Sequence, residues 1–249
     1  MDKKKLNTTI MNKKNWFPFA TSLLMVFAIT AMSCFAQVSG NGKITKEERK
    51  VSGFKAISVG NAIHLQIRQG SEEKVTVETD ENILPYLKTE VTGGELHIGI
   101  KGNVNNASVL NVYVTVKALQ ELETGSAAQV KSEGNIETDD FKISSGSGSA
   151  VQMDLKCTNL KAYVSSGSAV VLEGSANAIS AESSSGSSLV ASDFKSEKGN
   201  VEASSGAVAV IYAAKELKAR VSSGANITIL GNPSIRDTDS SSGGSVHFK

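Results

Sequence analysis

Six copies of one tripeptide constrain this chain more than any other feature. Ser-Ser-Gly occurs at Ser144-Ser145-Gly146, Ser165-Ser166-Gly167, Ser184-Ser185-Gly186, Ser204-Ser205-Gly206, Ser222-Ser223-Gly224 and Ser241-Ser242-Gly243. A degenerate copy, Glu123-Thr124-Gly125, precedes them. The glycines are spaced by 21, 21, 19, 20, 18 and 19 residues. A low-complexity serine linker keeps no such period, so the tripeptide marks a structural repeat.

The flanks of each glycine give the secondary structure. Apolar residues stand at +3 and +5: Ala128/Val130, Val170/Leu172, Leu189/Ala191, Ala209/Ile211, Ile227/Ile229 and Val246/Phe248. At Gly146 the pattern slips. Gly148-Ser149 reads there as a two-residue insertion, and Val151, Met153 and Leu155 carry the apolar parity. Upstream, Leu160/Ala162/Val164 and Leu217/Ala219/Val221 continue the alternation, with Lys161, Lys218 and Arg220 between. Period two with one apolar face predicts strands.

A repeat of about 20 residues is too short for a propeller blade and lacks the 3.6 period of helical repeats. It fits one coil of a parallel β-helix, with equivalent strands stacked about 4.8 Å apart. The fold expected is all-β, a β-solenoid. Its corner glycines are Gly125, Gly146, Gly167, Gly186, Gly206, Gly224 and Gly243. Glycine supplies the positive φ or close approach of a corner. The residues at −1 and +1 are all Ser, Ala, Thr or Gly, which predicts small side chains inside the corner and stacked hydroxyls satisfying one another.

Residues 37–120 read as longer coils of the same solenoid, acting as its cap. Gly60 has Ile63/Leu65, and Gly93 has Leu96/Ile98, at +3/+5. Asp80–Leu87 is expected as a short helical turn stopped by Pro85. The alternative is antiparallel pairing of Glu95–Ile100 with Val109–Val116. Residues 121–249 hold the regular coils, so 37–249 is one continuous domain. The far end, Val246-His247-Phe248-Lys249, shows no cap, and an uncovered coil invites pairing with a second copy.

The first 36 residues are of another kind. They hold the single Trp, four of the five Met, five Lys, one Asp and no Gly. Lys3, Lys4, Lys5, Lys13 and Lys14 precede an apolar stretch, Phe19–Met32. That is the plan of a secretory signal, and the stretch is short for a membrane span of about 20 residues. Cleavage before Gln37 fits the small residues Cys34 and Ala36. Ala31-Met32-Ser33-Cys34 resembles a lipoprotein box, which would acylate Cys34, but Ala31 stands where Leu is usual, so soluble export is favoured. Without this segment the formal charge changes from +1 to −3, which points away from nucleic acid. Cys157 would then be the sole cysteine, unable to form an internal disulfide and suited to a small buried apolar role.

Chemistry-bearing patterns are scarce. His64, His97 and His247 read as exposed strand residues without metal-ligand spacing. No Gly-x-Ser-x-Gly elbow at a strand–helix turn and no calcium-binding nonapeptide is present. Asp139 and Asp140 are adjacent and would face opposite ways on a strand. Asp237 and Asp239, beside Arg236, read as a solvated turn rather than a cation site. Tyr163 points outward between Ala162 and Val164. No catalytic, cofactor or metal site is expected.

Several stretches resemble a known family. They are Gly53-Phe54-Lys55-Ala56-Ile57-Ser58-Val59-Gly60, Ile63–Gly70, Val75-Thr76-Val77, Asp80-Glu81-Asn82-Ile83 and Gly93–Ile98, joined by the Ser-Gly-Ser-Ala repeats. Together they are similar to the auto-transporter adhesin, head GIN domain family, over roughly Val51 to Pro233. The resemblance implies export from a Gram-negative bacterium, β-helical coils and no agreed catalytic residues. No amphipathic barrel segments follow the repeats, so self-translocation is not expected. The function expected is that of a non-catalytic, adhesin-like interaction protein of the periplasm, outer membrane or exterior, with a protein or glycan surface as partner. A carbohydrate-active or carbohydrate-binding β-helix and an envelope lipoprotein scaffold are the alternatives.

Overall fold

The structure, a computed structural model, describes residues 37–249, so the signal segment and Cys34 lie outside the described residues. Val38–Lys249 form one compact unit. The fold is all-β: stacked parallel coils of about 19 residues make a β-solenoid of about 7 turns. No helix among the described residues is long and apolar enough to cross a membrane.

Each regular coil is a strand, a tight turn, a second strand and a looser bend. On the first side Phe141, Leu160 and Ile179 are register partners, as are Ile143, Ala162 and Ala181. On the second side Val151, Val170, Leu189, Ala209, Ile227 and Val246 form one continuous column. All but Val246 of these are buried in a single core. Burying each Val, Leu or Ile contributes about 1.5–3 kcal/mol, repeated coil by coil. Period-two alternation thus becomes a core because equivalent inward residues stack.

The tight turn has two left-handed residues. Ser166 (φ 52°) and Gly167 (φ 69°) lie between Ser165 and Ser168, whose N–H donates to the Ser165 carbonyl at 3.1 Å. These are the φ signs of a type I′ turn. The corner also continues the inter-coil ladder: the Gly167 amide donates to the Ser185 carbonyl, and the Gly186 amide to that of Ser205.

Register corrects two of the expected corner glycines. The amides of Gly125, Gly146 and Ser165 donate to Val59, Thr124 and Ser145 carbonyls in turn, so these three residues are equivalent. Gly125 and Gly146 therefore sit two places before the corner. The positive-φ pairs of their coils are Ser126-Ala127 and Ser147-Gly148. With Gly148 at the corner, Val151 and Met153 take the +3 and +5 places, and the apparent insertion disappears.

The serines also divide differently from expectation. The −1 serines (Ser166, Ser185, Ser205, Ser223) are exposed, and only the +1 residues point inward. Inside, Thr124, Ser145 and Ser149 bond one another at 2.9–3.0 Å, and Ser183 pairs with Ser187 at 2.9 Å. The Ser168 and Ser187 hydroxyls donate to carbonyls instead, those of Ser165 and Val164. The hydroxyl column is thus a set of local clusters, and Ala203 and Ala207 end it. At the looser bend, Gly174 has φ 116°, and a side chain there would collide with the Leu155 carbonyl oxygen.

The cap is built of longer coils of the same solenoid, as expected, while the antiparallel alternative fails, because Glu95–Ile100 pairs with Leu87–Thr92 instead. Glu95–Ile100 and Leu110–Val116 form a coil that stacks parallel on Ala56–Val59 and His64–Gln69. It follows that pair in sequence but lies outside it, because Glu121–Thr124 stacks on the opposite edge of Ala56–Val59. Each strand of the outer coil has its own antiparallel partner, Leu87–Thr92 and Lys74–Asp80 respectively. Gly93-Gly94 is the hairpin turn between the first two of these strands, not a corner. Ile44–Arg49 closes that edge, and its charged sequence ITKEER discourages further pairing. The Asp80–Leu87 segment is a run of turns, as expected, in which the Leu84 amide donates to the Asp80 carbonyl at 3.2 Å, and Ile83 and Leu87 are buried.

On the last coil the register positions that face inward elsewhere turn polar, and every residue of Ile235–Ser240 is exposed. Arg236 is the register partner of Leu217, and Thr238 of Ala219. The Arg236 guanidinium lies 4.4 Å from the Phe248 ring centre. Asp237 is held by Arg220, through two bonds of 3.1 and 2.7 Å, rather than standing in a turn beside Arg236.

Candidate binding cleft

The outer coil joins its two strands by residues 101–109 instead of a four-residue turn, and this longer loop stands beside the corner. Asp80 pins it. The fully buried Asp80 carboxylate accepts the Ser108 amide (2.7 Å), the Ser108 hydroxyl (2.9 Å) and the Gly42 amide (2.6 Å). Burial pushes its pKa up, but the Ser108 and Gly42 hydrogen bonds outweigh that and hold it below the usual aspartate value. The Thr79 hydroxyl donates to the Val109 carbonyl, and Val38–Ser39 pairs in parallel with Val104–Asn106.

Between this loop and the corner of the next coils lies a cleft of about 720 Å³. Asn61, His64, Asn105, Asn106, Asn111 and Ser126 supply its polar lining, and Ile100, Val104 and Leu110 part of its apolar lining. No Asp, Glu, Lys or Arg is among its lining residues. Asn61 is left-handed (φ 58°), and its Oδ1 accepts the Ile100 amide at 3.1 Å. Asn111 donates to Glu78, which also accepts the Tyr113 hydroxyl at 2.6 Å. The Tyr113 and Asn111 bonds hold the Glu78 carboxyl below its ordinary pKa, and the Glu78 bond raises the Tyr113 phenol.

The cleft opens at Asn61 and Ser126 into a furrow of about 510 Å³ that follows the solenoid axis beside the corner. Stacked Gly60, Gly125 and Gly146 line it, together with Ser58, Glu123, Ser144 and Tyr163. None of these glycines has a positive φ. A Cβ on Gly125 would meet nothing within 4 Å, and one on Gly146 only the Ser165 hydroxyl at 3.5 Å. Farther along, the equivalent floor position carries Ser184, Ser204 and Ser222, and Glu182, Glu202 and Arg220 line a narrower groove of about 240 Å³.

The remaining residues singled out in the sequence are dispersed. His97 is exposed, 3.8 Å from Glu95, and His247 is exposed on the last coil. Asp139 and Asp140 are both exposed, and Asp140 accepts a bond from Asn159. Among the described residues no three His, Cys, Asp or Glu side chains converge as metal ligands would. Cys157 is a free, buried thiol whose pKa burial pushes up to about 12. Sequence reasoning gave His64 no role beyond exposure and passed over Asn61, Asn105 and Asn106, which carry no motif. The one signal for Asn105 and Asn106 is the Asn-rich run Asn103–Asn106 beside an interrupted coil.

Residues 53–233 match the family described as "Putative auto-transporter adhesin, head GIN domain". The chain belongs to this family. Among solved structures, a "putative adhesin" from Bacteroides fragilis NCTC 9343 superposes with a TM-score of 0.80 at 19% identity, covering 85% of this chain and 100% of its own. One from Parabacteroides merdae ATCC 43184 gives 0.71 at 21% identity, covering 86% and 99%. A "putative lipid binding protein" from Parabacteroides distasonis ATCC 8503 gives 0.70 at 21% identity, with the same coverage. At these identities the likeness establishes the shared solenoid. No curated protein matches the chain.

Proposed function

We propose that this head GIN domain protein is a non-catalytic binding module, adhesin-like, exported from a bacterial cell to hold an external polymer or surface. One observation carries the reading: the cleft of about 720 Å³ is lined by polar and apolar side chains without an Asp, Glu, Lys or Arg among them. Such a cleft offers hydrogen bonds and shape. It offers no pair of carboxylates for glycoside hydrolysis and no positioned nucleophile with its base. The family description, with its adhesin label, supports the same reading. The stacked coils present fixed side-chain columns, so a long partner would be held without ordering the protein first.

The test is attachment. Purified protein should be retained on immobilised mucin, fibronectin or bacterial cell-wall preparations, and should release no soluble fragments from them. Retention on none of these surfaces, or steady release of fragments, would overturn the reading.

A further inference from the structure

We propose that the cleft and its glycine-floored furrow bind a neutral, unbranched carbohydrate chain lying along the solenoid axis. The inference rests on the binding-module reading and names its ligand class.

Charge excludes the main alternatives. The cleft lining carries no Asp, Glu, Lys or Arg, and the furrow contributes only Glu123. A phosphorylated or sulfated polymer finds no Lys or Arg there, and a polycation finds one carboxylate. The side chains of Asn105 and Asn106 make no hydrogen bond within the described residues and face solvent at the cleft. An amide donates and accepts at adjacent atoms, as a sugar hydroxyl also does. Charge and hydrogen-bonding type thus agree on a neutral polyhydroxylated ligand.

The floor supplies an independent argument. Gly125 follows the strand Glu121–Thr124 directly, and glycine loses more backbone freedom on folding than any other residue. At Gly125 nothing in the fold requires it, since φ is ordinary and a Cβ would enter open furrow. The coils beyond carry serine at this position. Bare backbone there lets a ligand approach closely. The Gly125 and Gly146 amides already donate to Val59 and Thr124, so contact with the floor is by packing alone. Tyr163, 39% exposed, ends this stretch and offers a ring face to the C–H face of a sugar. From the Gly60 coil to the Tyr163 coil is three stacking steps, about 14 Å, enough for a short run of hexose rings.

The experiment titrates the purified protein with cellohexaose, mannohexaose and chitohexaose, and with hexagalacturonate as the anionic control, by calorimetry. At least one neutral hexamer should bind at least about tenfold more tightly than hexagalacturonate. Gly125→Gln, which fills the furrow at an unstrained position, and Asn105→Asp, which charges the cleft, should each weaken that binding about tenfold or more at unchanged Tm. Lack of binding by every neutral hexamer overturns the inference, as does equal binding of hexagalacturonate or indifference to both variants. Should the hexamers fail while the protein still attaches to immobilised surfaces, the ligand class is wrong and the binding-module reading stands. Failure of both removes both.

Discussion

Asp80 and Ser108 are joined twice, the buried carboxylate accepting both the amide and the hydroxyl of a residue 28 positions away. The pair fastens the cleft loop to the cap strand Lys74–Asp80. Replacing Asp80 with Ala leaves the Ser108 and Gly42 amides without their acceptor, at a cost of about 1–3 kcal/mol for each group left unsatisfied. Urea unfolding should show the loss, and hydrogen exchange should place it at residues 101–109. The folded-state pKa is depressed, so this stabilisation is complete above the unfolded aspartate value near 3.9 and is lost as pH falls through the lower folded value. The stability gap between wild type and Asp80→Asn should therefore narrow only below about pH 4. A gap unchanged down to pH 2 would contradict the assignment.

Three glycines should separate cleanly by cost. Gly125→Ala should be neutral or stabilising by up to about 1 kcal/mol, since only unfolded-state freedom is lost. Gly167→Ala places a Cβ in the left-handed region, for about 1–2 kcal/mol, and Gly167→Val should cost more. Gly174→Ala should be the most damaging, because it adds a backbone collision with Leu155 to its left-handed φ. Thermal unfolding of the series checks the order. Equal costs at 125 and 167 would refute the register correction.

The last coil predicts a solubility effect. Arg236→Leu would continue the Leu217 column to the open end and remove the cation from Phe248. Light scattering should then show concentration-dependent association that the wild type lacks at the same concentration, as expected of an uncovered apolar edge. A monomeric Leu variant at high concentration would refute this role for Arg236.

Cys157 should be chemically silent in the folded protein. With its thiol raised to about 12 by burial, the reactive thiolate is scarce at pH 8. Iodoacetamide should label it only after denaturation, and rapid native labelling would contradict its burial.

Much of the fold was legible because its signals are local. Val170/Leu172 and Leu160/Ala162/Val164 alternate around a Ser-Gly corner, and stacking reproduces that pattern in every coil. The corner misplaced at Gly146 arises where Gly146 and Gly148 lie close together, and the one at Gly125 where the true corner, Ser126-Ala127, holds no glycine, so residue identity alone does not fix register. The cap was less legible because its order is long-range. Nothing near Glu95–Val116 announces that this coil lies outside Ala56–Gln69. The cleft was hidden for the same reason. Asn105 becomes part of it only because Asp80 holds Ser108, and Gly125 becomes a floor only when its neighbours above and below are known. Tyr163 was read correctly as outward, since strand parity decides that by itself.

The position of the Glu95–Val116 coil outside an earlier one gives the molecule a mechanical polarity. Drawn from its C-terminal end, the chain peels one coil at a time, each step breaking a single pair of parallel ladders. Drawn from its N-terminal end, the cap resists, because Ala56–Gln69 is clamped between the coil after it and the regular coils beyond. With the chain tethered at its N-terminal end, a pull on a partner held in the cleft would thus load the interlocked end and leave the last coils unstressed.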